Sequence, residues 1–328
     1  MWKKKRNLVM CLVFSVSLLV IAFSAYGAEY PERPITWIHN WSPGGGSDLA
    51  SRALAKAAGT TLGQPIVVIN KLGASGALGV SAIAAARPDG YTIGSVSYVP
   101  VTLLPQLQDV PYDPLNDFDY ICCYGAWRYG PVVRSDSPFR TLKDLVEYGK
   151  ANPGKIKYGS MGPATINTLG MVYLAKAEGI KWDGVHFRGT AEAVAALLGG
   201  HVGVIPVASS EAVSHIKAGR MRVLASFSDK RWEEIPNVPT VKELGYDFKI
   251  VSYLGLGAPK GVPKPIIDKL RGAFRNAMSN PEFLQIMKMI SIVPDFYTGD
   301  EYKRIVEEGY NLYKDTMLEM GLHKSQKK

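Results

Sequence analysis

The chain predicts an α/β fold of two lobes, each a mainly parallel sheet flanked by helices, and three observations carry that prediction. Short apolar runs alternate with helical patterns from residue 35 to the C-terminal end. Glycine- or hydroxyl-rich turns repeatedly stand between an apolar run and the helix after it. The 328 residues are 47% hydrophobic and 20% charged, enough apolar material for a large core, with no flexible linker to separate independent beads.

In order, Ile35–Trp41 reads as a strand, and Ser42–Gly46 (SPGGG) as the turn after it. A helix begins near Ser47, with Leu49, Ala53 and Ala57 recurring beside Leu54 and with Ser47 or Asp48 placed to cap its amides. Ile66–Asn70 is a second strand, Gly73–Gly79 a second glycine turn, Val80–Ala86 a short helix and Tyr91–Val96 a third strand. Phe118–Tyr124 and Pro131–Arg134 are expected as separate strands on either side of Gly125–Gly130. A helix over Thr141–Ala151 leads to the strand Lys157–Ser160, a third loop over Met161–Thr165, and the helix Leu169–Glu178. Strands at Val185–Phe187, Val202–Pro206 and Val223–Phe227 alternate with helices at Ala191–Leu198 and Ser210–Ala218. After the strand Ser252–Ala258 come helices at Lys264–Ser279, Pro281–Met289 and Asp300–Glu319. Breaks near Arg128–Pro131 and Lys249–Tyr253 divide the chain into residues 29–129 plus 252–328 and an inserted lobe over 130–251.

The N-terminus predicts a secretory signal peptide over 1–28. Met1–Asn7 is basic, Leu8–Phe23 is almost wholly apolar, and small residues follow, with cleavage after Gly27 or Ala28. A retained signal anchor is the alternative, but the run falls short of the roughly 20 residues that span a bilayer. Lys3, Lys4, Lys5 and Arg6 supply four of the formal +9 charges, so the exported chain is an ordinary surface of +5. With no arginine-rich stripe, nucleic-acid binding is not expected. Cys11 leaves with the leader, while the neighbours Cys122 and Cys123 read as two buried thiols on opposite faces of a strand.

Strand, turn and helix in sequence leave the first helical amides unpaired and partly positive, an anion site that needs no Lys or Arg. Four such loops occur, at Ser42–Asp48, Gly73–Leu78, Ser160–Thr165 and Gly189–Ala191, and in a parallel sheet they line one crevice at the strand ends. Nucleotide fingerprints are absent: Leu49 stands where a dinucleotide loop needs its third small residue, and no P-loop string exists. Catalytic strings are absent too, since no G-x-S-x-G elbow and no H-x-x-x-H pair occurs. His39 reads as a packed strand residue. Trp41, Trp127 and Tyr98 are candidates to line a pocket, and Arg188 to pair with an anion.

Several segments resemble the Bug-type extracytoplasmic solute receptors, the substrate-binding proteins of tripartite tricarboxylate transporters. They are Tyr30–Ile35 (YPERPI), Trp41–Asp48 (WSPGGGSD), Leu62–Pro65 (LGQP), Asn70–Ala77 (NKLGASGA), Pro88–Thr92 (PDGYT) and Pro111–Pro114 (PYDP). Further along come Tyr158–Thr165 (YGSMGPAT), Arg188–Thr190 (RGT), Leu197–Val202 (LLGGHV), Pro236–Val241 (PNVPTV) and Leu256–Pro263 (LGAPKGVP). The resemblance implies a two-lobed periplasmic-binding-protein (Venus flytrap) fold that closes on its ligand, without catalysis or cofactor. It assigns the grip on one carboxylate to Ser42, Gly44, Gly45, Gly46, Ser47 and Asp48, beside Trp41. It makes Ala74 of the second loop, Ser97 and Tyr98 pocket neighbours. Ser160, Gly162, Thr165, Arg188, Gly189 and Thr190 match the contacting loops of the other lobe, with Ala208 close by. The chain departs from the family at Asn40, often Pro, and at Arg188, commonly Lys. It also departs at Val207-Ala208, where many members carry Asp-Asn, and the missing acid argues against an amino-acid ligand.

The expected protein is thus a periplasmic receptor, a monomer, that hands a small organic carboxylate to membrane transporter subunits or signals to a sensor kinase. A neutral aromatic or amide solute, or a secreted hydrolase on the same scaffold, are the alternatives.

Overall fold

The computed structural model describes residues 30–326, so the expected leader at 1–28, with Cys11, lies outside the described residues. Strand β1 (Ile35–His39) runs parallel to β2 (Ile66–Asn70) on one side and to β3 (Thr92–Ser95) on the other. Helix α1 (Gly46–Leu62) connects the first two strands, and α2 (Ala77–Ala84) connects β2 to β3. The buried stripe of α1 runs through Ala50, Leu54, Ala57 and Ala58, while the expected Leu49 and Ala53 are only half-buried. Leu54 is the long apolar side chain among alanines, and it enters the core with Trp37 and Phe274. Burying a side chain of that kind contributes roughly 1.5–3 kcal/mol.

After β3 come two short helices, α3 (Tyr98–Thr102) and α4 (Leu104–Leu107), and then a strand of 17 residues, β4 (Phe118–Arg134). Two strands with a break were expected here. The glycines in the middle do not turn the chain; they let neighbours in. A Cβ on Gly125 would lie 2.7 Å from the Met287 methyl, and one on Gly130 would lie 2.3 Å from the Ala225 carbonyl oxygen. Over 118–128, β4 pairs antiparallel with β9 (Val251–Pro259), which in turn meets β3. Past that point it changes partners, pairing antiparallel with β7 (Ile205–Ala208) and β8 (Met221–Val223). The parallel strands expected are thus β2, β1 and β3, together with β5 (Lys157–Ser160) and β6 (Asp183–His186), while the crossing strands are antiparallel. Several starts shift by a few residues, β7 beginning at Ile205 rather than Val202.

Helices cover the sheets. Over 130–251 they are α5 (Leu142–Ala151), α6 (Ile166–Glu178), α7 (Thr190–Leu198) and α8 (Ser209–Lys217). After β9 come α9 (Lys264–Ala277), α10 (Pro281–Met289), β10 (Tyr297–Thr298) and α11 (Gly299–Glu319). One core gathers Trp37, Leu54, Phe274 and Phe283, with Cys122 among them, while Cys123 belongs to the core on the other face with Tyr98, Tyr302 and Tyr313. The two thiols are buried, free and on opposite faces, as period-two geometry requires. Burial pushes both well above the ordinary thiol range.

Candidate ligand-binding site

The ends of β1, β3, β5 and β7 open on one cleft of about 920 Å³. The first loop leaves β1 at His39, and α1 starts at Gly46 with Gly45 as its N-cap, which offers no side-chain bond to the helical amides. Asp48 does not cap, as had been expected. Its carboxylate turns back into the protein, accepting from Gly44 N and Arg52 Nε at 2.9 Å and from Asn70 Nδ2 at 2.8 Å. Asn70 also donates to the Trp41 carbonyl oxygen at 2.9 Å. Burial alone would raise the Asp48 carboxyl, but these bonds from Arg52, Asn70 and Gly44 outweigh it and lower it to about 2. The first-turn amides of α1 are left without a side-chain cap, while the Asp48 carboxylate is held by Gly44, Arg52 and Asn70.

Of the residues expected in this loop, Trp41, Ser42, Gly45 and Ser47 line the cleft, whereas Gly44, Gly46 and Asp48 do not. In the second loop the lining residue is Ser75 rather than Ala74, and both adopt left-handed backbone (φ 54° and 47°). Ser97 lines the floor, and its buried hydroxyl has no partner among the described residues. Tyr98 leaves the cleft for the core. Its ring packs edge-on to Tyr253 and Tyr313 at 5.2 and 5.9 Å, in space that Gly309 leaves open by lacking a Cβ.

Across the cleft, α6 starts at Ile166 with Thr165 as an N-cap whose side chain makes no capping bond. Thr165 lines the cleft, together with Met161 and Asn167. Ser160 and Gly162 lie behind them and build the loop. The Ser160 hydroxyl is 3.0 Å from His186 Nδ1, and the Gly162 carbonyl oxygen accepts from Thr168 at 2.8 Å and from Ser160 and Thr165 at 3.3 Å. Arg188 is exposed at the rim, its backbone amide donating to Glu192 at 3.1 Å. Gly189 and Thr190 start α7 outside the lining, the Thr190 hydroxyl donating to Met161 Sδ at 3.3 Å. Ala208 lines the cleft at the start of α8.

Two features were not read from the sequence. Val99–Leu107, which looks like ordinary core, supplies an apolar wall through Leu103, Leu104 and Leu107, opposite Trp127 and Tyr129. Pro100 and Pro105 were the available signal, since they break the segment into two short helices. The second is Glu211, which lines the cleft one turn beyond Val207-Ala208 and accepts from the Ala208 amide at 3.0 Å. Glu211 thus brings an acid to the cleft near the 207–208 positions. Among the described residues no group of His, Cys, Asp and Glu could hold a metal ion, and no helix is long and apolar enough to cross a membrane.

Comparison with known proteins agrees with this architecture. Residues 50–322 match the family described as "Tripartite tricarboxylate transporter family receptor". A Cupriavidus necator protein described as "UPF0065 protein in gbd 5'region" is 36% identical over 95% of each chain. The structure of a TctC solute binding protein from Polaromonas superposes with a TM-score of 0.82 at 28% identity, over 88% of this chain and 99% of that one. MatC from Rhodopseudomonas palustris, solved with bound malate, gives a TM-score of 0.68 at 25% identity, over 87% and 99%. The fold is that of the α/β periplasmic binding proteins. The chain belongs to the tripartite tricarboxylate transporter receptor family, the Bug-type solute receptors, a family of binding proteins and not of enzymes.

Proposed function

We propose that this receptor captures a small organic carboxylate in the periplasm, after loss of the leader, and delivers it to a tripartite tricarboxylate-type transporter. The observation that carries the reading is that α1 and α6, both without side-chain caps, start at the same cleft with Arg188 at its rim. Helix starts of this kind favour anions. Malate bound to MatC supports the same chemistry.

In this reading the lobes are 29–129 plus 252–328 and 130–251, closing about 125–132 and 249–255, where β4 changes partners. One carboxylate meets the first-turn amides of α1 and the hydroxyls of Ser42 and Ser47, with Gly44 and Gly45 shaping the loop, and Thr165 and Arg188 close from the other side. Trp41, Trp127 and Leu104 would hold an apolar or aromatic body, which also keeps a neutral aromatic or amide solute as the second reading.

The test is a thermal-shift screen of the leaderless chain, unfolded and refolded to strip carried-over ligand. Its panel holds malate, other di- and tricarboxylates, aromatic acids, amino acids and neutral amides. A ligand at a hundred times its Kd adds about 2.7 kcal/mol and raises Tm by several degrees. Shifts confined to carboxylates are expected; shifts from neutral amides alone would replace this reading with the second one.

A further inference from the structure

His39 ends β1, fully buried, and the carboxylate reading asks nothing of it. Its ring nevertheless connects the cleft to the core. Ser47, on the cleft wall, has its hydroxyl 3.2 Å from Nε2. The Ser95 hydroxyl is 2.8 Å from Nδ1, and the Ser51 hydroxyl 3.2 Å from the same nitrogen. Behind these, Trp37 Nε1 donates to Ser95 Oγ at 3.0 Å, Ser51 donates to the Ser47 carbonyl oxygen at 2.8 Å, and the Tyr124 hydroxyl is 2.9 Å from Ser51 Oγ.

Counting protons orders this chain. Burial lowers the His39 pKa to about 4, so the ring is neutral near pH 7, donating from one nitrogen and accepting at the other. An indole N–H only donates, so the Ser95 oxygen accepts from Trp37 and keeps its own proton for one of its two other neighbours, His39 Nδ1 at 2.8 Å and the Tyr124 hydroxyl. The 3.2 Å contact at Nε2 lies beyond the O–H donor range and within the N–H range, and the 2.8 Å contact at Nδ1 accommodates the complementary O–H donor. The Ser51 proton is engaged by the Ser47 carbonyl and does not compete for Nδ1.

We infer that His39 is a positioning residue: its proton sits on Nε2 and is donated to Ser47 Oγ, which turns the Ser47 hydroxyl proton out toward the cleft. The opposite tautomer would draw that proton inward and face an incoming anion with lone pairs. Through Ser47, His39 makes this wall a hydrogen-bond donor selective for anionic ligands. The selectivity rests on the carboxylate reading above; the position of the proton does not.

The first test needs no ligand. In the full chain labelled with 15N-histidine, long-range proton–nitrogen correlation at pH 7 should show a protonated Nε2 and a bare Nδ1 for His39. Loss of those signals in His39→Gln assigns them, and a proton found on Nδ1 would overturn the inference. The second test measures the Kd for malate, or for the first carboxylate in the panel that binds the wild-type chain. Asn reaches only as far as Nδ1, so His39→Asn should weaken binding about tenfold or more. Gln can place its N–H near Nε2, so His39→Gln should rescue affinity to within about threefold. In a Ser47→Ala background, His39→Asn should have no further effect. Wild-type affinity in a folded His39→Asn would overturn the inference and leave the carboxylate reading standing. A wild-type chain that binds no carboxylate sinks that reading, and the spectrum alone then decides where the proton sits.

Discussion

Residues 41–45 and residues 161–165 both lead from a parallel strand into a helix whose N-cap makes no side-chain capping bond, and both face the same cleft. Their supports differ in kind. The first is tied to the neighbouring strand and helix by charge: Asp48 takes Gly44, Arg52 and Asn70, and Asn70 reaches on to Trp41. The second is held by uncharged bonds: the hydroxyls of Ser160, Thr165 and Thr168 converge on one carbonyl oxygen at Gly162, Ser160 meets His186, and Asn167 donates to the Pro206 carbonyl oxygen. Bonds to a charged group are worth roughly 1.5–3 kcal/mol each and neutral ones roughly 0.5–1.5. One loop type therefore gives a fixed anchor on one side of the cleft and a softer jaw on the other. Anchoring one wall preserves the amide geometry between captures, and the softer wall can adapt to what has been caught.

Asp48→Ala should break this contrast most severely. It removes three bonds at once, the one to half-exposed Arg52 counting least, and should cost about 3–5 kcal/mol of stability, lower Tm by several degrees and abolish carboxylate binding. Thermal unfolding and calorimetry on the same sample check it. Next in size is Gly45→Asp, which sets a carboxylate among the first-loop amides. Its Cβ would lie 3.3 Å from the Ser42 carbonyl oxygen, so the fold should adjust, while affinity should fall about tenfold or more. Unchanged affinity would remove the first loop from the site.

Acid should sharpen the contrast through stability. The folded pKa of His39 lies at about 4, below its ordinary 6.5, so its contribution is complete above pH 6.5 and fades as pH falls toward 4. Asp48, lowered from 3.8 to about 2, keeps its contribution above pH 3.8 and loses it as pH falls toward 2. Denaturant titrations should show both windows, with His39→Gln erasing the upper and Asp48→Asn the lower, while Thr165→Val alters neither. Thr165→Val should cost about 1 kcal/mol by removing its bonds to Gly162 and Asn167. A cost equal to that of Asp48→Ala would erase the distinction between the loops. The smallest effect belongs to Arg188→Ala, about two- to fivefold in affinity and weaker still in high salt, because the side chain is exposed.

The contrast also marks what a reader of the sequence can and cannot see. Glycine turns between apolar runs and helices announce both loops, and period-two geometry places Cys122 and Cys123 on opposite faces. The supports come from afar: Asn70, Ser95 and Tyr124 reach the first loop through the sheet, and no local pattern reports that. Tyr98 looked like a pocket aromatic because it follows a strand end, yet helix α3 starts there and turns the ring toward Gly309. Gly125 and Gly130 looked like a break because close approach and tight turning ask for the same residue.

The central claim is that the uncapped helix starts read a carboxylate's charge. Calorimetric titration of the wild-type chain with its best carboxylate and with the matching primary amide tests it most directly, since the two share one body and differ only at that group. Binding of the acid is expected, with at least tenfold weaker binding of the amide. Equal affinity for the two would contradict it.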